Sequence, residues 1–539
     1  MPTIESQLGP SSGSFAGNRE QMLELVARVR GLEAKVREHS ARQVAKFAKR
    51  GQLMPRDRIA RVLDRGAPYL ELSTLAGYKM HDDDGGAAIA GGGNIVGIGF
   101  VSGRRCLVSA SDSAIKGGAV SPMGLRKSLR AQEIALVNKL PCVNLVESAG
   151  ANLLYQSELF VEGGRVFANM ARMSAAGVPH ITVVHGSSTA GGAYLPGLSE
   201  YVIVVRGKSR IFLAGPPLVK AALGEDADEE ALGGAQMHMS VSGTAEYMAE
   251  DDAGAIEVAR EVIAKLAWDE HARGVEPRAF RPPRHDPDEL CGVVPVDYRQ
   301  PYDVREIIAR VVDDSDFLDF KPGYGEQTVC GHARVEGWAC GIIGNNGPIF
   351  PEGAAKAGHF IQACCQSGTP IIYLQNTTGY MVGLRAEEHG IVKHGSKMIQ
   401  AVANANVPQI TIVVGGSFGA GNYGMCGRSF DPRFIFSWPN ARVSVMGGEQ
   451  AAKVMEIITR AKFARQGVTI DDENLGKMTG AIKQKLDSES DALFSTARLW
   501  DDGIIDPRDT RRVIAMTLAT CREGDARRLR PSNFGVARL

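Results

Sequence analysis

The stretch VPQITIVVGGSFGAGNYGM, from Val407 to Met425, decides how the rest of the chain is read. Its first part, ITIVV, is β-branched and uncharged, as suits a strand covered on both faces. Its second part, GGSFGAGNYG, is a glycine-rich turn, where the backbone can bend sharply and present N–H groups to a close partner. The chain makes the same statement earlier, as VPHITVVHGSSTAGGAY from Val178 to Tyr194. Val178 aligns with Val407, Pro179 with Pro408, Thr182 with Thr411, Gly192 with Gly421 and Tyr194 with Tyr423, all at one step (407 − 178 = 229).

The repeat extends upstream without a gap. LPCVNLVESAG, Leu140 to Gly150, lies over TPIIYLQNTTG, Thr369 to Gly379, and Pro122 lies over Pro351. The period is far longer than the roughly 20–50 residues of a solenoid repeat, so a whole domain is duplicated. Two strand-and-glycine-turn units predict two similar sites with two different guests.

The 539 residues suit two or three domains. With 61 basic and 61 acidic residues the net charge is zero, which argues against nucleic acid as the main partner. The nine cysteines are scattered, with no C-x-x-C pair to suggest zinc or a redox dithiol. Adjacent Cys364 and Cys365 read as core residues of a helix. The N-terminus has neither a basic start nor an apolar run, and no stretch is apolar enough to span a bilayer, so a cytoplasmic protein with no membrane partner is expected.

In chain order, residues 1–17 read as a flexible arm. Met22, Leu25, Val26, Val29, Leu32 and Val36 then recur at helical spacing, predicting one long helix or two shorter ones from Asn18 to about Arg50. Strands are expected at Leu70–Tyr78 and Asn94–Ser102, flanking the glycine run GGAAIAGGGN, which is a candidate ligand border. Strand, turn and helix then alternate, predicting an α/β unit with helices packed on a sheet. In such folds ligands lie at the strand C-termini. A proline- and charge-rich stretch from Trp268 to Tyr298 marks the domain boundary. This gives a first domain over 18–275 and a second over 285–530. CGHARVEGWACGIIGNN, from Cys330 to Asn346, is expected as one strand, and a basic, proline-containing tail, expected to be weakly ordered, closes the chain.

Successive N–H groups at a turn that opens a helix stabilise an anion. The candidate pairs are Gly191–Gly192 and Ala420–Gly421. The bland alternative is that these glycines only let helix and strand pack closely. Neither turn fits a phosphate-binding loop, and neither carries a Ser-His-Asp or Cys-His set. His185 lies beside Ser187 and Ser188 but reads as packing. His359, His389 and His394 lack a metal-ligand spacing, so no metal is expected. No protein base stands out, which suits a reaction whose base comes from a substrate or cofactor.

The segments GGSFGAGNYGMCGRSFDPRFIFSWPNARVSVMGGEQAA, AGGAYLPGLSEYVIVV and IFLAGPPLVKAALGE, with the closing WDDGIIDPRDTR, resemble the carboxyltransferase (β) subunits of biotin-dependent acyl-CoA carboxylases. Within that family the chain is most similar to the geranyl-CoA and methylcrotonyl-CoA carboxylases, from about Arg19 to Gly535. The resemblance implies two tandem crotonase-like (ClpP/crotonase) domains with a ββα-spiral core, and an active site between the N-domain of one subunit and the C-domain of another. It implies that carboxybiotin releases CO2, that the biotin enolate takes a proton from the γ-carbon of an α,β-unsaturated thioester, and that the extended enolate captures CO2. On this basis Gly191 and Gly192 form one oxyanion hole, and Ala420 and Gly421 the other. Gly117, Gly118, Ala149 and Gly150 border the acyl-CoA, and Asn345, Asn346 and Gly347 lie in the family's acyl-CoA-binding stretch. The chain has no A-M-K-M biotinylation motif. Biotin is therefore expected on a separate α subunit that also carries biotin carboxylase activity, with β subunits in a hexamer within an α6β6 assembly.

The acyl group is read from LFVEGGRVF. Methylcrotonyl-specific relatives have a longer, charged stretch here, with a phenylalanine where Gly163 falls. Glycine in place of an aromatic opens a pocket, and each buried methylene contributes about 0.8 kcal/mol, so geranyl-CoA is the expected substrate, ahead of 3-methylcrotonyl-CoA. The alternative for Gly163 is that it only shapes a loop. Two other classes stay open. A crotonase-type hydratase would need acidic side chains at the turns, where Glu147 is the one candidate and its repeat partner is Asn376. A non-catalytic assembly subunit is the other.

Overall fold

The structure is a computed structural model that describes residues 3–86, 89–268, 272, 275–467 and 471–532. It divides into two compact units. One comprises Gly31–Val275, Ala497–Leu499 and Thr520–Leu539; the other comprises Met1–Arg30, Glu276–Thr496 and Trp500–Ala519.

The sheet of the first unit contains β1 (Leu70–Leu72), β2 (Asn94–Val101), β3 (Arg104–Ser111), β4 (Cys142–Ser148), β5 (His180–Thr189), β6 (Tyr201–Val205), β7 (Arg210–Phe212) and β8 (Tyr247–Ala249). Its order is β1-β2-β3-β4-β5-β6-β8, with β7 continuing along β5 past the end of β6. β1 to β3 are antiparallel, and β3 onward is parallel. Val143, Leu145, Ile181, Val183 and Ile203 form the core with Ile256, Ala259 and Ile263 of the helix Asp252–Lys265. Each Val, Leu or Ile side chain among them contributes about 1.5–3 kcal/mol on burial, so a charge at Val183 would break this layer. The expected strand Leu70–Tyr78 stops at Leu72, because Ser73 turns the backbone to φ 50°.

The second unit holds β9 (Leu318–Asp319), β10 (Thr328–Val335), β11 (Trp338–Asn345), β12 (Ile371–Thr377), β13 (Gln409–Phe418), β14 (Phe434–Ser437) and β15 (Arg442–Ser444). Their order is β14-β13-β12-β11-β10-β9, with β15 along β13. All ten residues of β13 are buried. Thr411, inside this apolar run, is satisfied by donating to the Cys426 carbonyl at 2.8 Å. The single strand expected over Cys330–Asn346 is a hairpin: Glu336 and Gly337 have φ 48° and 80°, the left-handed pair that a two-residue turn needs.

The duplication is visible residue by residue. β4 and β12, and β5 and β13, differ by the 229-residue step at both ends (371 − 142 and 409 − 180). The helices Pro122–Val137 and Pro351–Ser367 begin at the same step, each with proline at its first position. Cys364 of the latter is buried in the core and Cys365 is half-buried.

The helix expected near the N-terminus is Gly13–Ala41, followed by Val44–Lys49. The expected flexible arm is instead anchored: the Ile4 N–H donates to Ser315 at 3.0 Å, and Ser6 and the Gln7 N–H donate to Glu306 at 2.6 and 2.7 Å. The start of the closing tail is held by the Ser532 N–H on the Ala175 carbonyl at 2.8 Å; residues 533–539 lie outside the described residues, as do Ala87 and Ala88 of the glycine run.

Candidate functional site

In the first unit, β4 and β5 pair in register up to Val146 with Val184, then slip so that Ser148 meets Ser188. Beyond this slip β5 leads into the tight turn Ala190–Ala193, where Ala190 takes φ 52°. Ser148 organises the edge. Its hydroxyl accepts from the Gly150 N–H at 3.1 Å and donates to the Gly118 carbonyl at 3.3 Å. The Val120 N–H donates to the Gly150 carbonyl at 2.9 Å. Gly117, Gly118, Ala149, Gly150, Gly191 and Gly192 are thereby brought to one edge of the sheet.

Two of these glycines have a steric reason as well. A Cβ on Gly118, whose φ is 77°, would lie 2.3 Å from the Glu147 carbonyl oxygen. One on Gly192 would lie 3.1 Å from Ser148 Oγ. Gly163 differs. It lies within the helix Gln156–Ala176, not in a loop, and a Cβ there would meet nothing within 4 Å. One helical turn on, Phe167 lies 3.6 Å from where a Gly191 Cβ would stand and packs against Tyr194 with ring centres 5.5 Å apart. Gly163 and Phe167 share a helix face, so the open space at Gly163 adjoins the turn.

The second unit repeats the plan with different chemistry. β12 and β13 show the same slip, between Gln375 and Thr377, with Thr377 opposite Ser417. β13 runs into the short helix Gly419–Gly424, where Gly419, the repeat partner of Ala190, has φ 54°. Ala420 and Gly421 stand in its first turn, whose N–H groups have no intrahelical acceptor. A Cβ on Gly421 would lie 2.8 Å from the Gly379 Cα. The supports are neutral. Ser417 donates to Gln375 at 2.6 Å, Asn422 donates to Ser417 at 2.8 Å, and the Gly416 N–H donates to Asn376 at 3.1 Å.

Asn345 ends β11, and Asn346 and Gly347 follow it. The Ile349 N–H donates to the Gly379 carbonyl at 2.9 Å, which ties this loop to the 377–381 turn. Asn346 points elsewhere, accepting from the Val304 N–H at 2.8 Å and donating to Asp303 at 3.2 Å. Asn345 is fully buried, and its amide has no hydrogen-bond partner among the described residues. Gly347 has φ 142°, and a Cβ there would lie 3.9 Å from Gln327 Oε1.

Glu147 is not aimed at a turn. Its Oε2 accepts from Arg58 at 3.0 Å and from Ser113 at 2.8 Å. That removes the one acidic group a hydratase reading rested on. His185 is fully buried, and burial, with repulsion from Arg58, pushes its pKa down to about 4, so it stays neutral at ordinary pH. Lys127 was not singled out by sequence reasoning. It is buried and donates to the Gly91 and Asn94 carbonyls at 3.3 and 2.6 Å, fixing the end of the glycine run, and burial pushes its pKa down to about 8. The 229-residue step could have flagged it, since its partner is Lys356, also buried. Among the described residues no group of three metal-ligating side chains occurs, and no helix is long and apolar enough to cross a membrane.

Comparison with known proteins adds to this geometry. The model of the carboxyl transferase domain matches residues 46–534. The structure is similar to the β subunit of P. aeruginosa geranyl-CoA carboxylase, at 58% identity and a TM-score of 0.93 over 100% of both chains. The probable methylcrotonoyl-CoA carboxylase beta chain, mitochondrial, of Drosophila melanogaster is 44% identical over 99% of this chain and 95% of its own. The probable biotin-dependent acyl-coenzyme A carboxylase beta2 subunit of Mycobacterium tuberculosis is 47% identical over 91% of each.

Proposed function

We propose a substrate and residue roles for a chain that belongs to the carboxyl transferase family: a biotin-dependent acyl-CoA carboxyltransferase with two crotonase-like α/β domains, which carboxylates the γ-carbon of geranyl-CoA. The observation that carries the substrate is Gly163. Half-buried on its helix, one turn from Phe167 and the first glycine turn, it leaves room where a side chain would stand. A geranyl tail is longer than a methylcrotonyl group, and added apolar contact favours it by about 0.8 kcal/mol for each buried methylene. The 58% identity to the geranyl-CoA carboxylase β subunit supports the same reading. 3-Methylcrotonyl-CoA is the second reading, supported by relatives such as the Drosophila beta chain.

In this reading Gly117, Gly118, Ala149, Gly150 and Gly163 border the acyl-CoA, with Asn345, Asn346 and Gly347 in the corresponding stretch of the other half. Gly191 with Gly192, and Ala420 with Gly421, place N–H groups where oxygens gain negative charge; one such donor is worth about 2.7–4 kcal/mol in a transition state. The neutral amides and hydroxyls behind Ala420 and Gly421 fit an uncharged ureido ring. Carboxybiotin, carried by a separate α subunit, supplies the carboxyl group. The β subunits assemble as a hexamer with that partner, and the complex is cytoplasmic.

The test is ATP- and bicarbonate-dependent carboxylation by the chain with its biotinylated α subunit, comparing kcat/KM for geranyl-CoA and 3-methylcrotonyl-CoA. Geranyl-CoA is preferred by the wild type, and the preference falls in Gly163→Phe. Turnover of methylcrotonyl-CoA without geranyl-CoA overturns the substrate and leaves the carboxyltransferase assignment standing.

A further inference from the structure

We propose that Arg58 is a positioning residue for the acyl-CoA half of the site, its buried guanidinium setting the mutual placement of the three segments that form that edge. Arg58 lies on the helix Pro55–Val62 and is 0% exposed. Its Nη1 donates to Glu147 Oε2 at 3.0 Å, and its Nη2 lies 3.3 Å from Asp252 Oδ2. Each carboxylate reaches a second segment. Glu147 also accepts from Ser113 at 2.8 Å, while Asp252 Oδ1 lies 3.2 Å from His185 Nδ1. The Leu53 N–H donates to Asp252 at 2.8 Å, and Gln52 donates to the His185 carbonyl at 2.7 Å, which locks the Arg58 side of the cluster in place.

The positions in the chain give this cluster its meaning. Glu147 immediately precedes Ser148, whose hydroxyl joins Gly118 to Gly150. Ser113 lies in the loop between β3 and Lys116–Gly118. His185 stands on β5, just before the slip that leads into Ala190–Ala193. The Glu147 carboxylate also packs over Gly186, where a Cβ would lie 2.8 Å from its Cδ. One cation therefore faces two carboxylates, and those carboxylates hold the roots of all three site segments. Burial excludes water as a substitute partner, so loss of either charge forces a rearrangement. In the other half, Asn376 and Val414 stand at the positions of Glu147 and His185, and the slip is held by a neutral amide on the Gly416 N–H. The charged clamp thus serves one half-site only.

The inference rests on the reading that the first glycine turn serves the acyl-CoA. Its test uses the full complex and whichever acyl-CoA the wild type carboxylates, so failure of the geranyl-CoA assignment leaves it intact. KM for acyl-CoA is measured in the forward direction, and KM for free biotin as carboxyl acceptor in the reverse direction. A displacement of about 1 Å at a reacting group changes rate by about 10²-fold, and partial relaxation predicts roughly a tenfold loss in kcat/KM for acyl-CoA. Glu147→Gln keeps the shape and the Ser113 contact but removes the charge. It should show this loss with the biotin KM unchanged within about twofold, and Arg58→Lys should lose less than Arg58→Met. An unchanged kcat/KM for acyl-CoA in Glu147→Gln, or equal losses on both sides, overturns the proposal. If Arg58→Met does not fold, Glu147→Gln decides alone.

Discussion

Alanine at position 421 tests whether the second glycine turn works through its geometry. The added Cβ would lie 2.8 Å from the Gly379 Cα and 3.0 Å from the Thr377 Cγ2. Carbon atoms in contact rest about 3.5–4.0 Å apart, so helix and turn must separate by roughly 0.7–1.2 Å. The nearest neighbour is backbone and cannot rotate away. Overpacking of this kind destabilises by about 1–3 kcal/mol, and a shift of about 1 Å at a reacting group lowers the rate about 10²-fold. At the repeat partner, a Cβ on Gly192 meets side chains alone, with Ser148 at 3.1 Å to Oγ and 3.2 Å to Cβ and Ser188 Oγ at 3.6 Å. The displacement needed there is smaller, roughly 0.3–0.8 Å. Gly421→Ala should therefore lower kcat about 10²-fold and Gly192→Ala about tenfold. Thr377→Ser removes the Cγ2 but leaves the Gly379 Cα, so it should not rescue Gly421→Ala. The assay is carboxylation by the reconstituted complex, with thermal unfolding measured in parallel to correct for folded fraction. Wild-type kcat in Gly421→Ala, or full rescue by Thr377→Ser, would refute the reasoning. Gly421→Val is the poorer probe, since any loss it caused would follow from the collision alone.

Two further predictions concern pH, and their signs are opposite. Burial pushes His180 and His185 down to about 4, so both are neutral when folded. Their contribution is present above about pH 6.5 and is lost as pH falls toward 4, by about 3 kcal/mol each; His180→Leu should flatten the unfolding-temperature profile in that window, and an unchanged profile would reject it. Burial instead pushes Asp501 up to about 6, with the Gly503 N–H donating to it at 3.0 Å. Its contribution is full below about pH 4 and is lost as pH rises through 6. Asp501→Asn should therefore stabilise by up to about 3 kcal/mol at pH 8, with the gain vanishing in acid; a gain independent of pH would count against it.

The parts of this molecule that sequence reasoning reached are those where a local pattern repeats. The step from Val178 to Val407 placed β4 with β12 and β5 with β13, because a buried strand followed by glycine is written in consecutive residues. The step fails farther upstream, where β2 and β10 differ by five more positions (328 − 94 = 234), so an alignment held at 229 misplaces the hairpins. The Glu336–Gly337 reversal escaped notice because only one glycine marks it. Gly163, read as opening a pocket with loop-shaping as the alternative, stands in a helix although glycine disfavours one, because buried Leu159, Val166 and Met170 carry the helix through it. The Arg58 cluster was not legible at all. Its partners lie 89 residues away at Glu147 (147 − 58) and 194 away at Asp252 (252 − 58), and no local pattern links them.

The two slipped strand pairs have a consequence for how the chain folds. β5 and β13 have the same length and the same register against their neighbours, so during folding either could dock in the other's slot, the usual error of tandem repeats. Misdocking is penalised by chemistry rather than by shape. β13 beside β4 would put Val414 where His185 meets Asp252, leaving that buried carboxylate without its imidazole partner. β5 beside β12 would strip the buried Asp252 of its His185 partner in the half it belongs to. The charged cluster in one half and the amide in the other work as address labels, by which the chain sorts two almost interchangeable strands into their own sheets.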